Sequence, residues 1–305
     1  MISINNISKT YNKGTVQALK DISLNVNEGE IVGLIGPDGA GKSTLFRILT
    51  TLLLPDTGQA SVSNFDVVTQ FKEIRKHVGY MPGKFSLYLD LTVEENLNFF
   101  ATVFNTSIQS NYHLIKDIYQ QLEPFKNRKA GKLSGGMKQK LALCCALIHK
   151  PLALFLDEPT TGVDVVSRKE FWTMLKNLQK QGLTILVSTP YMDEASLCDQ
   201  VAFMQNGTIL SKNKPQQFIE QYTQNLYGVN GADAYKTLLK LRAHPLTASC
   251  FAFGNNIHIT LKEDSTVSDI ESQFLDDESF TIQKITPTLE DCFIQLLNTN
   301  EWKPS

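Results

Sequence analysis

From the N-terminus to about Pro215, short apolar runs alternate with longer stretches of helical period. The runs Glu30–Ile35, Leu152–Leu156 and Leu183–Ser188 are short and continuous, the form taken by strands buried on both faces. The opening MISINNI, Met1–Ile7, alternates as a strand does. Between the runs, Leu97, Phe100, Ala101 and Phe104 recur at i, i+3, i+4 and i+7, and Thr92 with Glu95 has capping-box spacing just ahead of them. The spacing predicts an amphipathic helix. A second one is predicted where Met137, Leu141, Cys144 or Cys145, and Ile148 fall on one face. Strand and helix patterns in alternation predict an α/β unit with a mostly parallel buried sheet.

Beyond Pro215 the pattern changes. Asn213–Asn225 is polar and Gln-rich and reads as a linker or a solvated helix, so the domain boundary is placed there: 1–215 and 216–305. The second region predicts a strand around Leu226–Val229, a helix around Ala232–Leu241, strands on either side of Gly254-Asn255-Asn256, a helix over Val267–Leu275 and a strand over Phe280–Ile285. That order, βαβ followed by βαβ, is the order of a small ferredoxin-like α+β domain. A last helix is expected after Pro287, with Thr288 and Asp291 at capping-box spacing and Leu289, Phe293 and Leu296 or Leu297 on one face.

Composition narrows the classes. With 305 residues, 42% hydrophobic and 20% charged, the chain is expected to bury a core and to form two domains, and no apolar run approaches a bilayer-spanning length. The net charge of −2 argues against a nucleic-acid binder that works through a basic face. Residues 216–305 carry 6 basic and 12 acidic side chains, so the second domain is the acidic one. The five Cys, two of them adjacent at Cys144 and Cys145, form no disulfide framework or CxxC spacing, which suits a reducing cytosol, and the N-terminus has no secretory-signal pattern. His77, His113, His149, His244 and His258 show no metal-ligand spacing, and GxSxG is absent.

The chemistry is concentrated in three short segments. After the strand EIVGLI comes Gly36-Pro37-Asp38-Gly39-Ala40-Gly41-Lys42-Ser43-Thr44, a complete phosphate-binding loop leading into a helix. Its glycines let backbone N–H groups face phosphates at a helix N-terminus, Lys42 supplies a cation to the β and γ phosphates, and Ser43 offers a hydroxyl to Mg²⁺. The strand ending in Asp157-Glu158 puts two acids at a carboxyl end, where open α/β sheets place ligands. With a phosphate loop upstream, Asp157 reads as an outer Mg²⁺ carboxylate, bound through water, and Glu158 as the base that activates a water. Between them, Ser134-Gly135-Gly136 opens a helix whose free N–H groups and Ser134 hydroxyl suit a γ-phosphate.

In this order, the three segments resemble the ATP-binding cassette family, the nucleotide-binding subunits of ABC transporters, over roughly residues 1–215. The resemblance implies a P-loop NTPase fold with antiparallel strands beside the parallel core, a helical subdomain at about 85–150, and ATP and Mg²⁺ as cofactors. It implies that Tyr11 stacks on adenine, that Leu133–Met137 is the family signature, and that Val163-Asp164 lies in the segment contacting a second subunit. Cassettes of this family pair head to tail, each ATP lying between one chain's P-loop and the other's signature. Phe85–Leu97 would face separate transmembrane permease subunits, placing the chain on the cytoplasmic face of the membrane. The acidic C-terminal domain, ending in Pro287–Leu297, resembles the accessory domain of the drug and polysaccharide exporter branch.

Two positions depart from the family pattern. Gly83 stands where members usually have Gln, and Pro190 where they usually have His; neither offers a side-chain hydrogen bond. Lys84, Ser188, Thr189 and Tyr191 are the neighbours able to substitute. Asp38 also replaces the Asn often found in the loop. The combination predicts an exporter ATPase with slow turnover at its own site and a preference for a heterodimer over a homodimer. The alternative is a regulatory module that senses ATP without driving transport.

Overall fold

A computed structural model describes residues 1–254, 256–262, 265–271 and 280–300. The chain divides into two compact units, Met1–Pro215 and Gln216–Ser305. The first contains β1 (Ile2–Tyr11), β2 (Val16–Val26), β3 (Ile31–Ile35), α1 (Lys42–Leu49), β4 (Thr57–Val62), β5 (Phe65–Asp66), α2 (Phe71–His77) and β6 (Val78–Met81). It continues with α3 (Val93–Val103), α4 (Ile108–Tyr119), α5 (Gly135–Leu147), β7 (Ala153–Asp157), α6 (Val165–Lys180), β8 (Thr184–Thr189), α7 (Met192–Ala195), β9 (Gln200–Gln205) and β10 (Thr208–Asn213).

The expected parallel core is a six-stranded sheet in the order β10-β9-β3-β8-β7-β6, parallel at every pairing except β10 with β9. Strands β3, β7 and β8 are buried along their whole length, which explains why the three apolar runs read as continuous rather than alternating, although Leu152, just ahead of β7, is exposed. A second sheet, β2-β1-β4-β5, is antiparallel and alternates, as a sheet with one buried face must. Ile2, Ile4, Leu24, Val26 and Val62 from that sheet share one core with Leu34 and Phe155 of the parallel sheet and Phe46 of α1.

The helices between β6 and β7 begin where their caps predict. Thr92 and Glu95 close a reciprocal capping box at α3, and Ser134 caps α5 by accepting from the Met137 N–H. The burial of α5 differs from the expected single stripe: Met137 is only half-buried, while Gly136, Lys140, Leu143, Cys145 and Ala146 are buried beside Leu141 and Cys144. Enclosure on several sides lets small and sulfur-bearing residues replace an amphipathic pattern.

The division falls at α8 (Pro215–Glu220), so part of the Gln-rich stretch is helical. The second unit continues with β11 (Leu226–Asn230), α9 (Ala234–Ala243), β12 (Thr247–Phe253), β13 (Asn256–Leu261), α10 (Val267–Glu271), β14 (Thr281–Lys284) and α11 (Leu289–Asn300). The sheet order is β12-β13-β11-β14, with every neighbouring pair antiparallel, which is the order produced by two interleaved βαβ crossovers. Asn255 and residues 272–275, which the sequence assigns to a turn and to the end of a helix, lie outside the described residues. At the start of α11, Asp291 accepts from the Thr288 N–H and hydroxyl, and its N–H donates back to Thr288 Oγ1. Its other oxygen meets the buried His258 Nδ1 at 2.8 Å, so one carboxylate both caps the helix and ties it to β13.

Candidate functional site

The loop between β3 and α1 is shaped by backbone that side chains would obstruct. Gly41 has φ +104°, and a Cβ there would lie 2.5 Å from the Ala18 carbonyl oxygen. The turn hands directly to Lys42 as the first residue of α1, leaving the helix N-terminus free of any side-chain cap and its N–H groups open to an anion. Lys42 is 4% exposed, and its Nζ donates to the Gly36 carbonyl at 2.7 Å and the Pro37 carbonyl at 3.1 Å. The same ammonium is 3.4 Å from Glu158 Oε1, which balances a buried cation. Asp38 is exposed, so its carboxylate sits in solvent rather than inside the loop.

Strand β8 lies between β3 and β7 and connects the loop to the acids. Its Ser188 hydroxyl donates to Asp157 Oδ1 at 2.8 Å and accepts from the Glu158 N–H at 2.9 Å. Asp157 is buried, whereas Glu158 leaves the strand in the left-handed region at φ +49° and keeps 24% of its side chain exposed. A non-glycine residue held in that conformation turns its carboxylate out of the sheet toward the loop.

Ser43, Arg47, Tyr80, Gly83, Lys84, Asp157 and Glu158 line one cavity of about 610 Å³. Burial, and next the charge of Asp157, push the Tyr80 hydroxyl up to about 12, so it stays a neutral donor. Tyr11 lies beside this region, its hydroxyl 3.3 Å from Thr44 Oγ1 on α1. The donor set suits Mg²⁺: a hydroxyl and a carboxylate share the cavity, and no group of three or more His, Cys, Asp or Glu able to hold a metal occurs among the described residues. A hard ion held by so few protein oxygens takes its remaining ligands from phosphate and water.

Ser134, Gly135 and Gly136 are not part of that cavity. They form the start of α5, where Ser134 and Gly135 are exposed and Gly136 is buried against the first turn of α6: a Cβ on Gly136 would lie 2.7 Å from Ser167 Oγ. Asp164 caps α6 by accepting from the Ser167 N–H at 2.9 Å, and that bond holds its carboxyl below the usual range. The turn at Gly135-Gly136 and the segment at Gly162-Val163 therefore pack side by side.

Gly83 and Pro190 place no hydrogen-bonding side chain in the site. The segment after Pro190 is held by Arg168 instead, a residue that sequence reasoning passed over. Its guanidinium donates to Asp193 Oδ2 at 2.6 Å, lies 4.0 Å from the Tyr191 ring centre, and approaches Glu194 Oε1 at 3.2 Å without hydrogen-bond alignment. Glu194, 2% exposed, accepts from Thr160 and Thr189. Arg47 and Tyr80 complete the cavity lining, and the buried Ser188 supports both acids from the neighbouring strand; of the three only Ser188, a hydroxyl near the end of an apolar strand, carried a local signal.

A second, largely apolar cleft of about 410 Å³ lies between β6, α3 and α5, lined by Tyr80, Leu87, Phe100, Phe104, Cys145 and His149 among others. The loop 88–92, which follows the cleft residue Leu87, is fixed by the fully buried Asn96, which accepts from the Tyr88 N–H and donates to the carbonyls of Tyr88 and Thr92. Tyr88, Leu89 and Phe99 stay exposed there. No helix among the described residues is long and apolar enough to cross a membrane.

Residues 19–161 match the family model described as ABC transporter. The probable multidrug ABC transporter ATP-binding protein YbhF of Escherichia coli is 38% identical over 301 residues, covering 97% of this chain and 52% of that protein. The chain thus spans about half the length of that relative. The ABC transporter ATP-binding protein NatA of Bacillus subtilis is 34% identical over 226 residues, covering 72% of this chain and 92% of that protein. A Nod factor export ATP-binding protein of Burkholderia lata is 38% identical, covering 72% of each chain. Among solved structures, a dimeric post-hydrolysis state of an ATP-binding cassette bound to ADP and Pi is 28% identical, with TM-score 0.64, covering 70% of this chain and 98% of that one.

Proposed function

Because this chain belongs to the ABC transporter ATP-binding family, we propose that it is the ATP-binding subunit of an exporter, coupling ATP binding and hydrolysis to transport through separate transmembrane subunits. The observation that carries this reading is the convergence of Ser43, Asp157 and Glu158 on one cavity beside the uncapped N-terminus of α1. The backbone N–H groups of Gly39–Thr44 and the Lys42 ammonium bind the β and γ phosphates, with Gly36, Pro37 and Asp38 shaping the approach. Tyr11, at the edge of α1, stacks on the base. Ser43 directly and Asp157 through water hold Mg²⁺, which when bound neutralises phosphate charge. Glu158 accepts the proton of the attacking water.

Separation of Ser134, Gly135 and Gly136 from this chain's own cavity supports a head-to-tail pair, in which these residues finish the site of a second cassette. The bare positions 83 and 190 favour a heterodimer, whose partner supplies the faster site. The apolar cleft beside α3 and the exposed Tyr88, Leu89 and Phe99 support docking of a permease there, at the cytoplasmic face of the membrane. The export-related names of the relatives favour transport over a nucleotide sensor. Mg²⁺-ATP binding and hydrolysis by the purified chain test the reading: tight binding with little turnover is expected. Co-expression with a neighbouring cassette and sizing with ATP then test the pairing, which exclusive self-dimerisation would refute.

A further inference from the structure

Gly83 stands close against the end of β7. A Cβ there would lie 3.2 Å from the Asp157 carbonyl oxygen and 3.8 Å from carboxylate Oδ2. Gly83 therefore brings no side chain to Asp157, and the residue after it carries a charge. Lys84 is exposed and lines the same cavity as Ser43, Asp157 and Glu158. Lys42, by contrast, already serves two loop carbonyls and Glu158. Among the described residues Lys84 has no such partner.

We propose that Lys84 binds the terminal phosphate of ATP, so that this site distinguishes ATP from ADP by a mobile cation; the proposal rests on the ATP-binding reading above. A polyphosphate entering a cavity that already holds two carboxylates needs added positive charge, and a four-carbon stem lets an ammonium reach it. The contact is charge-assisted, which strengthens binding. An ammonium donates hydrogen bonds and accepts none, so it can hold a phosphate but cannot accept from a water and align it. Lys84 thus favours retention of ATP without replacing the water contact that Gly83 lacks.

Equilibrium binding of ATP and of ADP, each with Mg²⁺ and with a chelator, separates the outcomes for the native chain, Lys84→Ala, Lys84→Arg and Lys42→Ala. Lys84→Ala is expected to weaken ATP by about tenfold and ADP by less than about twofold, most clearly without Mg²⁺, while Lys84→Arg keeps the preference. An unchanged ATP-to-ADP ratio in Lys84→Ala, or an equal loss for both nucleotides, overturns the proposal. Failure of the native chain to bind either nucleotide, or binding unaffected by Lys42→Ala, would instead overturn the reading of the P-loop itself.

Discussion

The two walls of the phosphate cavity are built differently. On the α1 side the loop is dense with interactions: Lys42 is buried against two carbonyls and Glu158, and Ser188 holds both acids at the end of the sheet. The segments after β6 and β8 present Gly83, which lines the cavity beside Asp157, and Pro190, both exposed and without a side-chain donor. The second segment is nonetheless well anchored, through Arg168 and the buried Glu194. What differs between the walls is therefore chemistry rather than order. On the proposed reading, the groups assigned to phosphate are all in place, and those that would orient a water are reduced.

Glu158→Gln makes the most severe test of that contrast. The change keeps the shape and removes the base, so turnover is expected to fall on the order of 10²–10³ while ATP affinity stays within about twofold. Turnover that survives would mean the water is activated elsewhere. Lys42→Ala attacks the intact wall directly. It leaves Glu158 and two carbonyls without their cation, and ATP affinity measured by titration calorimetry should drop about a hundredfold, through the lost phosphate contacts and the unbalanced carboxylate. The double change Gly83→Gln with Pro190→His restores donors to the depleted wall and is expected to raise turnover about tenfold. The gain is limited because the new Cβ at 83 needs the Asp157 carbonyl to yield a few tenths of an ångström. No gain at all would show that the two walls do not divide binding from turnover.

Much of the binding wall was legible because its chemistry is local. A phosphate loop works through consecutive backbone N–H groups and the lysine that follows them, so Gly36–Thr44 announces itself in nine residues. Caps behave similarly: Thr92 with Glu95, Ser134, and Thr288 with Asp291 all act within one turn of their helices. The opposite wall was legible only as missing residues at 83 and 190. Its replacement is assembled from distant positions: Arg168 reaches Asp193, and Thr160 reaches Glu194 across 34 residues.

Local order in the chain thus specified the strands, the helix starts, the phosphate loop and the pair of acids, because each depends on periodicity or on hydrogen bonds spanning a few residues. The tertiary structure alone decided that β8 lies between β3 and β7, so that Ser188 holds both acids. It alone enclosed α5, gathered Arg47, Tyr80 and Lys84 into the cavity, and set Gly135 and Gly136 against the start of α6. Such placements come from the order in which strands pair and the burial that pairing allows, and a local pattern holds no record of which distant strand becomes its neighbour.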